Sequence, residues 1–218
     1  MDLSPILRLL VRGPRGPAPN VANPYRDVVA GLDRPAAARR RRENLEAYVE
    51  RVGRPRLVLV GEALGYRGGR FSGIAFTSER QLAGGDRWRL PWGGEPFAAT
   101  SRNPQLWLEP SGSVVWGALG GEAAGVLLWN SFPWHPWGAR GQLSNRTPER
   151  RLLVANLQVL ERVLAEVTSA RIAAVGRTAE AALETLGVRE VTLLRHPSHG
   201  GAAIFRHQLS MLPERRVG

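Results

Sequence analysis

Glu62, Asn130 and His196 are the side chains whose types and positions best fit a chemical role. Each follows a short apolar run that predicts a buried strand. In a parallel sheet the carboxyl ends of the strands lie at one edge, where ligands bind, so we expect the three groups to converge. An asparagine amide matches the N–H and C=O groups of a pyrimidine edge, and a histidine can donate to an oxygen that becomes negative as a bond breaks. This set predicts recognition of a planar base and its departure as an anion.

A glycine-rich loop over residues 61–79 follows the first of these strands. Glycines let backbone N–H groups approach a ligand closely, and the ring of Phe76 offers a flat face on which a base can stack. The combination suits a planar ring better than a phosphate. The glycines of the loop are Gly61, Gly65, Gly68, Gly69 and Gly73.

Four motifs, in this order along the chain, resemble those of the uracil-DNA glycosylase superfamily. They are Gly-Glu-Ala-Leu-Gly from Gly61, the segment 73–79, an asparagine after a second strand, and His-Pro-Ser from His196. The resemblance extends over residues 55–210, and its specific parts are the His-Pro-Ser turn and the loop that contains Phe76. It implies an α/β fold, a three-layer α/β/α domain with a short central parallel sheet, and DNA as the partner.

The resemblance also implies roles for individual residues. Phe76 is similar to the stacking aromatic of the family, Asn130 to the reader of the pyrimidine edge, and His196 to the group that stabilises charge on the base O2. Ser198 is similar to a residue that grips phosphate beside the flipped nucleotide, and residues 199–205 take the place of a loop that wedges into the duplex. The candidate substrate-binding residues are Gly61, Ala63, Gly65, Tyr66, Phe76 and Asn130, and the candidate DNA-binding residues are Arg67, Arg195, Ser198, His199 and Gly200.

The loop departs from the family pattern at several positions. Ala63 replaces an aspartate that activates or steers water, and Gly65 replaces a tyrosine that excludes the thymine methyl group in the best-studied branch. The loop is closer to branches written Gly-Glu-Ala-Pro-Gly, which have a second acid at the position of Gly68 and often carry an iron–sulfur cluster on four cysteines. The chain has no cysteine, which excludes that cluster. We therefore expect Glu62 to act as the general base beside the catalytic His196, the alternative being a structural carboxylate that binds loop N–H groups.

The composition points to a polyanionic partner. The 218 residues carry a formal net charge of +11 at pH 7, which favours nucleic acid. All 30 basic residues are arginine, a bias that genome composition alone also produces. The absence of lysine excludes side-chain Schiff bases and a P-loop, and the absence of cysteine excludes disulfides and thiolate metal sites. We expect neither a cofactor nor a metal.

The alternation of helical and strand patterns predicts a parallel sheet with helices on both faces. We expect residues 1–30 to form an N-terminal arm and residues 31–218 a single domain. A run of four arginines, residues 39–42, is interpreted either as a solvated face or as a phosphate contact. Strands are predicted at 57–60, 114–116, 125–129, 171–175 and 191–194, and helices at 35–52, from Thr147, from Thr178 to 186 and at 203–212.

The sequence thus predicts a monofunctional DNA glycosylase that hydrolyses the N-glycosidic bond of uracil, or of a related damaged base, and leaves an abasic site. Two alternatives stay open: a catalytically weak or inactive DNA-binding protein of the same fold, and a glycosylase for another deaminated or mismatched base. No apolar run is long enough to span a membrane, and no secretory signal is recognisable. We expect a monomer in the cytoplasm, associated with the nucleoid.

Overall fold

The computed structural model describes residues 1–84 and 97–212. None of the helices in these ranges is long and apolar enough to cross a membrane. The helices are α1 (Ser4–Arg12), α2 (Ala37–Val52), α3 (Gly69–Ser72), α4 (Glu79–Leu82), α5 (Pro110–Leu119), α6 (Arg150–Val154), α7 (Gln158–Glu166), α8 (Arg177–Thr185) and α9 (Ala202–Ser210), with a 3-10 turn at Gly120–Ala123. The strands are β1 (Val21–Ala22), β2 (Leu57–Ala63), β3 (Val126–Phe132), β4 (His135–Pro136), β5 (Arg171–Val175) and β6 (Val191–Leu194).

A parallel sheet of four strands, in the order β3-β2-β5-β6, forms the centre of the described structure. Strand β2 is interior, because Leu57 pairs with Val126 on one side and with Arg171 on the other. Every residue of β3 is buried, as expected for a strand covered on both faces. Helix α8 contacts β2, β3, β5 and β6, whereas α2 and α7 contact β3 and α9 contacts β6. The predicted α/β fold class is confirmed.

Tyr48, on α2, satisfies backbone groups of the edge strand β3. Its hydroxyl accepts a hydrogen bond from the Leu128 N–H at 2.7 Å and donates one to the Val126 carbonyl at 3.1 Å. Buried backbone groups without partners are costly, so these two bonds hold α2 in register with the sheet. Strand β3 ends at the candidate site, and its position therefore depends in part on this contact.

Helix α1 packs on the same core as the sheet. Ile6 and Leu10 are fully buried, and the Leu10 carbonyl accepts a hydrogen bond from Trp134 Nε1 at 3.0 Å. Strand β1 also pairs antiparallel with β4. The division of the chain at residue 30 stays a prediction, but the apolar face of α1 belongs to the common core.

Residues 114–116 are helical, so the strand predicted there is wrong. Pro110 occupies the first turn of α5, where its missing N–H and fixed φ suit a helix. Val115, Trp116 and Leu119 are buried at helical spacing. The β-branched and aromatic residues at 114–116 favoured a strand. They form a helix instead, because the helix buries its apolar side chains on one face.

The helix predicted to begin at Thr147 starts instead at Arg150 and is interrupted between α6 and α7. Asn156 lies at the interruption. Its side chain accepts a hydrogen bond from the Arg15 N–H at 2.6 Å and donates to the Leu152 carbonyl at 2.8 Å. Asn156 links this helix break to the N-terminal segment, a contact between residues distant in sequence. The spacing of apolar residues within the helix therefore did not reveal the break.

The arginine run 39–42 divides between surface and core. Arg39 is exposed and pairs with Glu43 at 2.6 Å. Arg41 is fully buried and pairs with the buried carboxylate of Asp33. The same carboxylate accepts hydrogen bonds from Arg70 at 3.2 and 3.1 Å. Burial and the nearby Arg70 lower the pKa of Arg41 to about 10. Arg41 is therefore part neither of a solvated face nor of a phosphate-binding surface, the two interpretations of the arginine run.

Replacing Asp33 should destabilise the protein more than replacing a surface carboxylate. Asp33→Asn removes the ion-pair partner of two buried guanidinium groups, which costs about 3–5 kcal/mol of unfolding free energy. Glu43→Gln breaks only exposed ion pairs and should cost at most about 1 kcal/mol. Urea unfolding of both variants measures the difference, and equal losses would contradict this description of the core.

Candidate active site

A cavity of about 580 Å³ opens at the carboxyl ends of the sheet strands. It is bounded by residues that follow β2, β5 and β6, by the end of β3, and by the start of α5. The sequence-predicted residues that line it are Glu62, Ala63, Gly65, Phe76, Asn130, Arg195, His196, Ser198 and His199. Gly61 lies against Phe76 and Asn130, while Tyr66, Arg67 and Gly200 are not among the lining residues.

Gly61 allows Phe76 and Asn130 to meet. Gly61 and Asn130 are register partners in β2 and β3. A Cβ at Gly61 would overlap the Phe76 ring and stand 2.6 Å from Asn130 Oδ1. Phe76 itself has a φ of 52°, a left-handed conformation that costs energy in a residue with a side chain. The loop thus accepts strain at Phe76 to place its ring beside the Asn130 amide.

The side-chain amide of Asn130 has no hydrogen-bond partner within the described chain. Asn130 is only 3% exposed, yet within residues 1–84 and 97–212 no hydrogen bond to its side-chain amide is found, and the residue lines the cavity. A buried polar group without a partner is costly. An amide left free at a cavity wall is therefore suited to bind the hydrogen-bonding edge of a ligand.

His196 presents its Nε2 hydrogen to the cavity. Its Nδ1 accepts a hydrogen bond from the Ser198 N–H at 3.1 Å and lies 2.7 Å from Ser198 Oγ. Because Nδ1 is an acceptor, the proton of the neutral ring is on Nε2. Burial lowers the pKa of His196 below its ordinary value, partly offset by Glu62. The ring centroid lies 6.5 Å from that of Phe76, so both groups face the same space.

The turn after His196 is tightly packed. A Cβ at Gly201 would overlap the His196 carbonyl, and the Gly201 N–H donates to the Ser198 carbonyl at 3.0 Å. His199 adopts a left-handed φ of 50°, and its Nδ1 lies 3.0 Å from Ser198 Oγ. Ser198 therefore orients His196 on one side and contacts His199 on the other.

Glu62 is held by Thr178, which also lines the cavity. Thr178 Oγ1 donates to Glu62 Oε2 at 2.7 Å. The helix predicted from Thr178 begins at Arg177 and has Gly176 as its N-cap, without a side-chain cap. The Thr178 hydroxyl does not cap the helix and instead binds the Glu62 carboxylate. Glu62 makes no side-chain hydrogen bond to a loop N–H among the described residues, and its role as a general base stays a prediction.

Glu109 is a lining residue that sequence analysis missed. It precedes Pro110 at the start of α5 and makes no side-chain cap. Part of the residue is exposed, but its carboxyl group is buried, and this burial raises its pKa to about 7. Its position depends on the folding of α5 against the loop after β2, and the only local signal is a carboxylate before a helix-starting proline.

Tyr66 and Arg67 pack on each other outside the cavity. The Arg67 guanidinium lies 5.3 Å from the centre of the Tyr66 ring, and Arg67 Nε donates to the Tyr66 hydroxyl at 2.8 Å. The Tyr66 N–H donates to Asn145 Oδ1 at 2.9 Å. The roles predicted for these two residues stay predictions, and Asn145 is a further lining residue that sequence reasoning did not find.

Cationic side chains surround the cavity. Arg146, Arg177 and Arg195 line it; Arg146 pairs with Glu149 and Arg177 with Glu180. Arg195 forms no ion pair among the described residues. Within the same part of the chain, no group of three acidic or histidine side chains is placed to hold a metal ion.

Comparison with known proteins agrees with the geometry. The model of the uracil DNA glycosylase superfamily matches residues 49–206. The crystal structure of wild-type SMUG2 from Pedobacter heparinus is similar to this chain, with a TM-score of 0.61 and 14% sequence identity over 94% of each chain. At this identity the likeness concerns the fold. No curated protein matches the sequence.

A side chain at Gly61 should disrupt the site. Gly61→Ala forces Phe76 and Asn130 apart, because the new methyl group overlaps the ring. We expect a loss of about 1–3 kcal/mol in unfolding free energy. Gly121→Ala is the matched control, since a Cβ there meets no atom within 4 Å. A Gly61 variant as stable as the Gly121 variant would show that the close approach is not required.

The protonation state of His196 can be tested by NMR. Nitrogen chemical shifts should identify Nδ1 as the unprotonated nitrogen and Nε2 as the one that carries hydrogen at neutral pH. The titration midpoint should lie below the ordinary 6.5, because burial disfavours the charged ring. A midpoint above 6.5, or a hydrogen on Nδ1, would contradict the assignment.

Proposed function

The chain belongs to the uracil DNA glycosylase superfamily, whose members are DNA glycosylases, and on that premise we propose that it removes uracil from DNA. The reaction is hydrolysis of the N-glycosidic bond, which leaves an abasic site. The observation that carries the proposal is the convergence of Phe76, Asn130 and His196 on one cavity.

Base recognition is assigned to Phe76 and Asn130. A base extruded from the DNA stacks on the Phe76 ring, which offsets part of the few kcal/mol that extrusion costs. The Asn130 amide donates to one oxo group of the uracil ring and accepts from its N3–H. Because this amide has no partner within the described chain, the ligand supplies the hydrogen bonds that burial otherwise denies it.

Bond cleavage is assigned to His196. As the glycosidic bond lengthens, negative charge develops on the departing base and the sugar takes on oxocarbenium character. The Nε2–H of the neutral ring donates to the base O2. A neutral donor held in place by the Ser198 N–H needs no reorganisation when the charge appears, and one such donor contributes about 3–4 kcal/mol to the transition state.

Water is assigned to Glu62. Its Oε2 is occupied by Thr178, and Oε1 has no hydrogen bond to another described residue. The carboxylate can therefore orient a water through Oε1 and accept its proton as the bond to the sugar forms. In this arrangement Glu62 activates the water, which Ala63 cannot do because it replaces the family aspartate. With no lysine in the sequence, no Schiff base forms and the DNA backbone stays intact.

DNA binding is assigned to the arginines at the cavity mouth and to the turn after His196. Arg195 and Ser198 line the cavity, which supports their assignment to phosphates beside the extruded nucleotide. Such contacts weaken with salt because counterions are released on binding. The monomeric state, the location near the nucleoid, and the roles of Tyr66, Arg67, His199 and Gly200 stay predictions from the sequence.

Single-turnover assays on an oligonucleotide containing one uracil test the proposal. The wild type should release uracil, and the strand should break only after alkali treatment. His196→Ala and Asn130→Ala should each reduce the rate, by about a hundredfold or more for His196. His207→Ala is the control, because this histidine is exposed on α9, away from the cavity.

Two outcomes favour the alternatives. Tight binding without release of any base, at enzyme in excess, would indicate a DNA-binding protein. Release of another deaminated or mismatched base in preference to uracil would change the substrate but keep the site. Full activity in both the His196 and Asn130 variants would overturn the site itself.

A further inference from the structure

The cavity contains a second carboxyl group, Glu109, to which the reaction above gives no role. Its Oε2 is shielded from solvent and has no hydrogen-bond partner in the described chain. The side chain does not cap α5 and forms no ion pair among the described residues. A structural carboxylate in such a position normally receives donors, so its presence here needs another explanation.

The chain leaves room for this carboxyl group by omitting side chains around it. A Cβ at Gly65 would stand 2.7 Å from Oε1, one at Gly112 would stand 3.1 Å from Oε2, and one at Gly68 would overlap Oε2. Each of these three positions is a glycine, and a side chain at any of them would come close to the Glu109 carboxyl group or overlap it. The space is fitted to the carboxyl group, although no group of the described chain binds it.

The packing of the loop beside Glu109 indicates on which side of the cavity its carboxyl group lies. The loop that contains Gly65 leans toward the chain after β3, because the Leu64 N–H donates to the Trp134 carbonyl at 3.1 Å and the Leu64 carbonyl contacts His135 Nδ1 at 2.8 Å. His196 follows β6, at the opposite edge of the sheet. Glu109 packs beside Gly65 of this loop, and from this packing we place it on the Asn130 side of the cavity.

The position of the proton on the neutral acid follows from this geometry. A hydroxyl on the shielded Oε2 would be a buried donor without an acceptor, which is unfavourable. A hydroxyl on Oε1, the oxygen nearest Gly65, avoids this penalty, because Glu109 lines the cavity and only Oε2 is both shielded and unpartnered. Burial keeps the carboxyl group neutral up to about pH 7, since it raises the pKa to about 7.

The charged and titratable groups that line the cavity with Glu109 are Glu62, Arg146, Arg177, Arg195, His196 and His199. Glu62, at the end of β2, accepts a hydrogen bond from Thr178, and Arg67, in the loop after β2, is engaged with Tyr66. The segment before α6 carries Arg146, which is paired with Glu149 at 2.9 Å. Burial is the cause of the raised pKa, and no charged neighbour contributes a resolved share.

We propose that Glu109 is a specificity-determining residue that donates a hydrogen bond through Oε1 to an oxo oxygen on the base edge away from His196. This inference rests on the proposed function. An oxo oxygen has two lone pairs, so it accepts from both Asn130 and Glu109. The substrate class is then bases with an oxo group at that edge, as deamination produces, and bases with an amino group there lose the bond.

A comparison of two bases in one oligonucleotide tests the proposal. Uracil carries the 4-oxo group, and pyrimidin-2-one lacks it. The wild type should release uracil faster, and Glu109→Leu should reduce the uracil-to-pyrimidinone rate ratio by about tenfold, the value of one well-placed hydrogen bond. Glu161→Gln, on the exposed surface of α7, should leave the ratio unchanged.

A second variant covers the case in which Glu109→Leu does not fold. Glu109→Gln keeps a hydrogen-bond donor but does not titrate. Between pH 6.5 and 8.5, above the titration of His196, the wild-type ratio should fall as Glu109 ionises around pH 7. The ratio of the Gln variant should be constant over this range.

The outcomes separate this inference from the proposed function. If the wild type releases no base, the proposed function is wrong and Glu109 has no such role. If the wild type is active, but its ratio is independent of pH and equals that of the Glu109 variants, the role of Glu109 is wrong while the glycosylase activity stands. A ratio that falls with pH in the wild type alone supports the inference.

Discussion

The buried carboxylate of Asp33, shared by Arg41 and Arg70, is the interaction on which the position of the active-site loop depends. It joins the segment before α2, helix α2 and helix α3. Arg41 also donates to Thr100 Oγ1 at 3.0 Å, and that hydroxyl donates to the Phe71 carbonyl at 2.6 Å. Buried charges are tolerated only when they are paired and hydrogen-bonded, so these elements have little freedom to move separately.

The loop that follows α3 is also held in place by contacts with Arg41 and Tyr25. Gly73 has a φ of 82°, and a Cβ there would overlap the Arg41 backbone. The Gly73 carbonyl also accepts a hydrogen bond from the Tyr25 hydroxyl at 3.0 Å. Phe76 comes three residues later and keeps its strained conformation because both ends of its loop are fixed. The stacking face of the site is therefore positioned by a polar network beneath it rather than by contacts of the ring alone.

The site treats its two carboxyl groups differently. Glu62 receives a hydrogen bond from Thr178, whereas Glu109 is buried beside glycines without a donor. Environments that differ in this way assign different chemical roles to the same functional group. His196 completes the arrangement as a neutral donor on the opposite wall. In the proposed reaction, one cavity thus holds an acceptor for water, a donor for the departing base and a reader of the base edge.

Much of this was predictable from the sequence, because it depends on local patterns. The strand runs ending at Glu62, Asn130 and His196 determined the parallel sheet and the convergence of these groups at one edge. The loop motif and the His-Pro-Ser turn indicated the family, which the match over residues 49–206 confirmed. Local signals failed at residues 114–116, where burial on a helical face outweighed strand propensity.

Tertiary structure alone decided the rest. Three contacts join residues of different elements. Arg41 pairs with Asp33, Thr178 binds Glu62, and Glu109 enters beside Gly65 and Gly68. Sequence patterns report the periodicity of a single element and the chemistry of a single motif. They do not report which side chains of different elements meet, because that depends on how the elements pack, and the identity of the second carboxyl group in the site followed only from that packing.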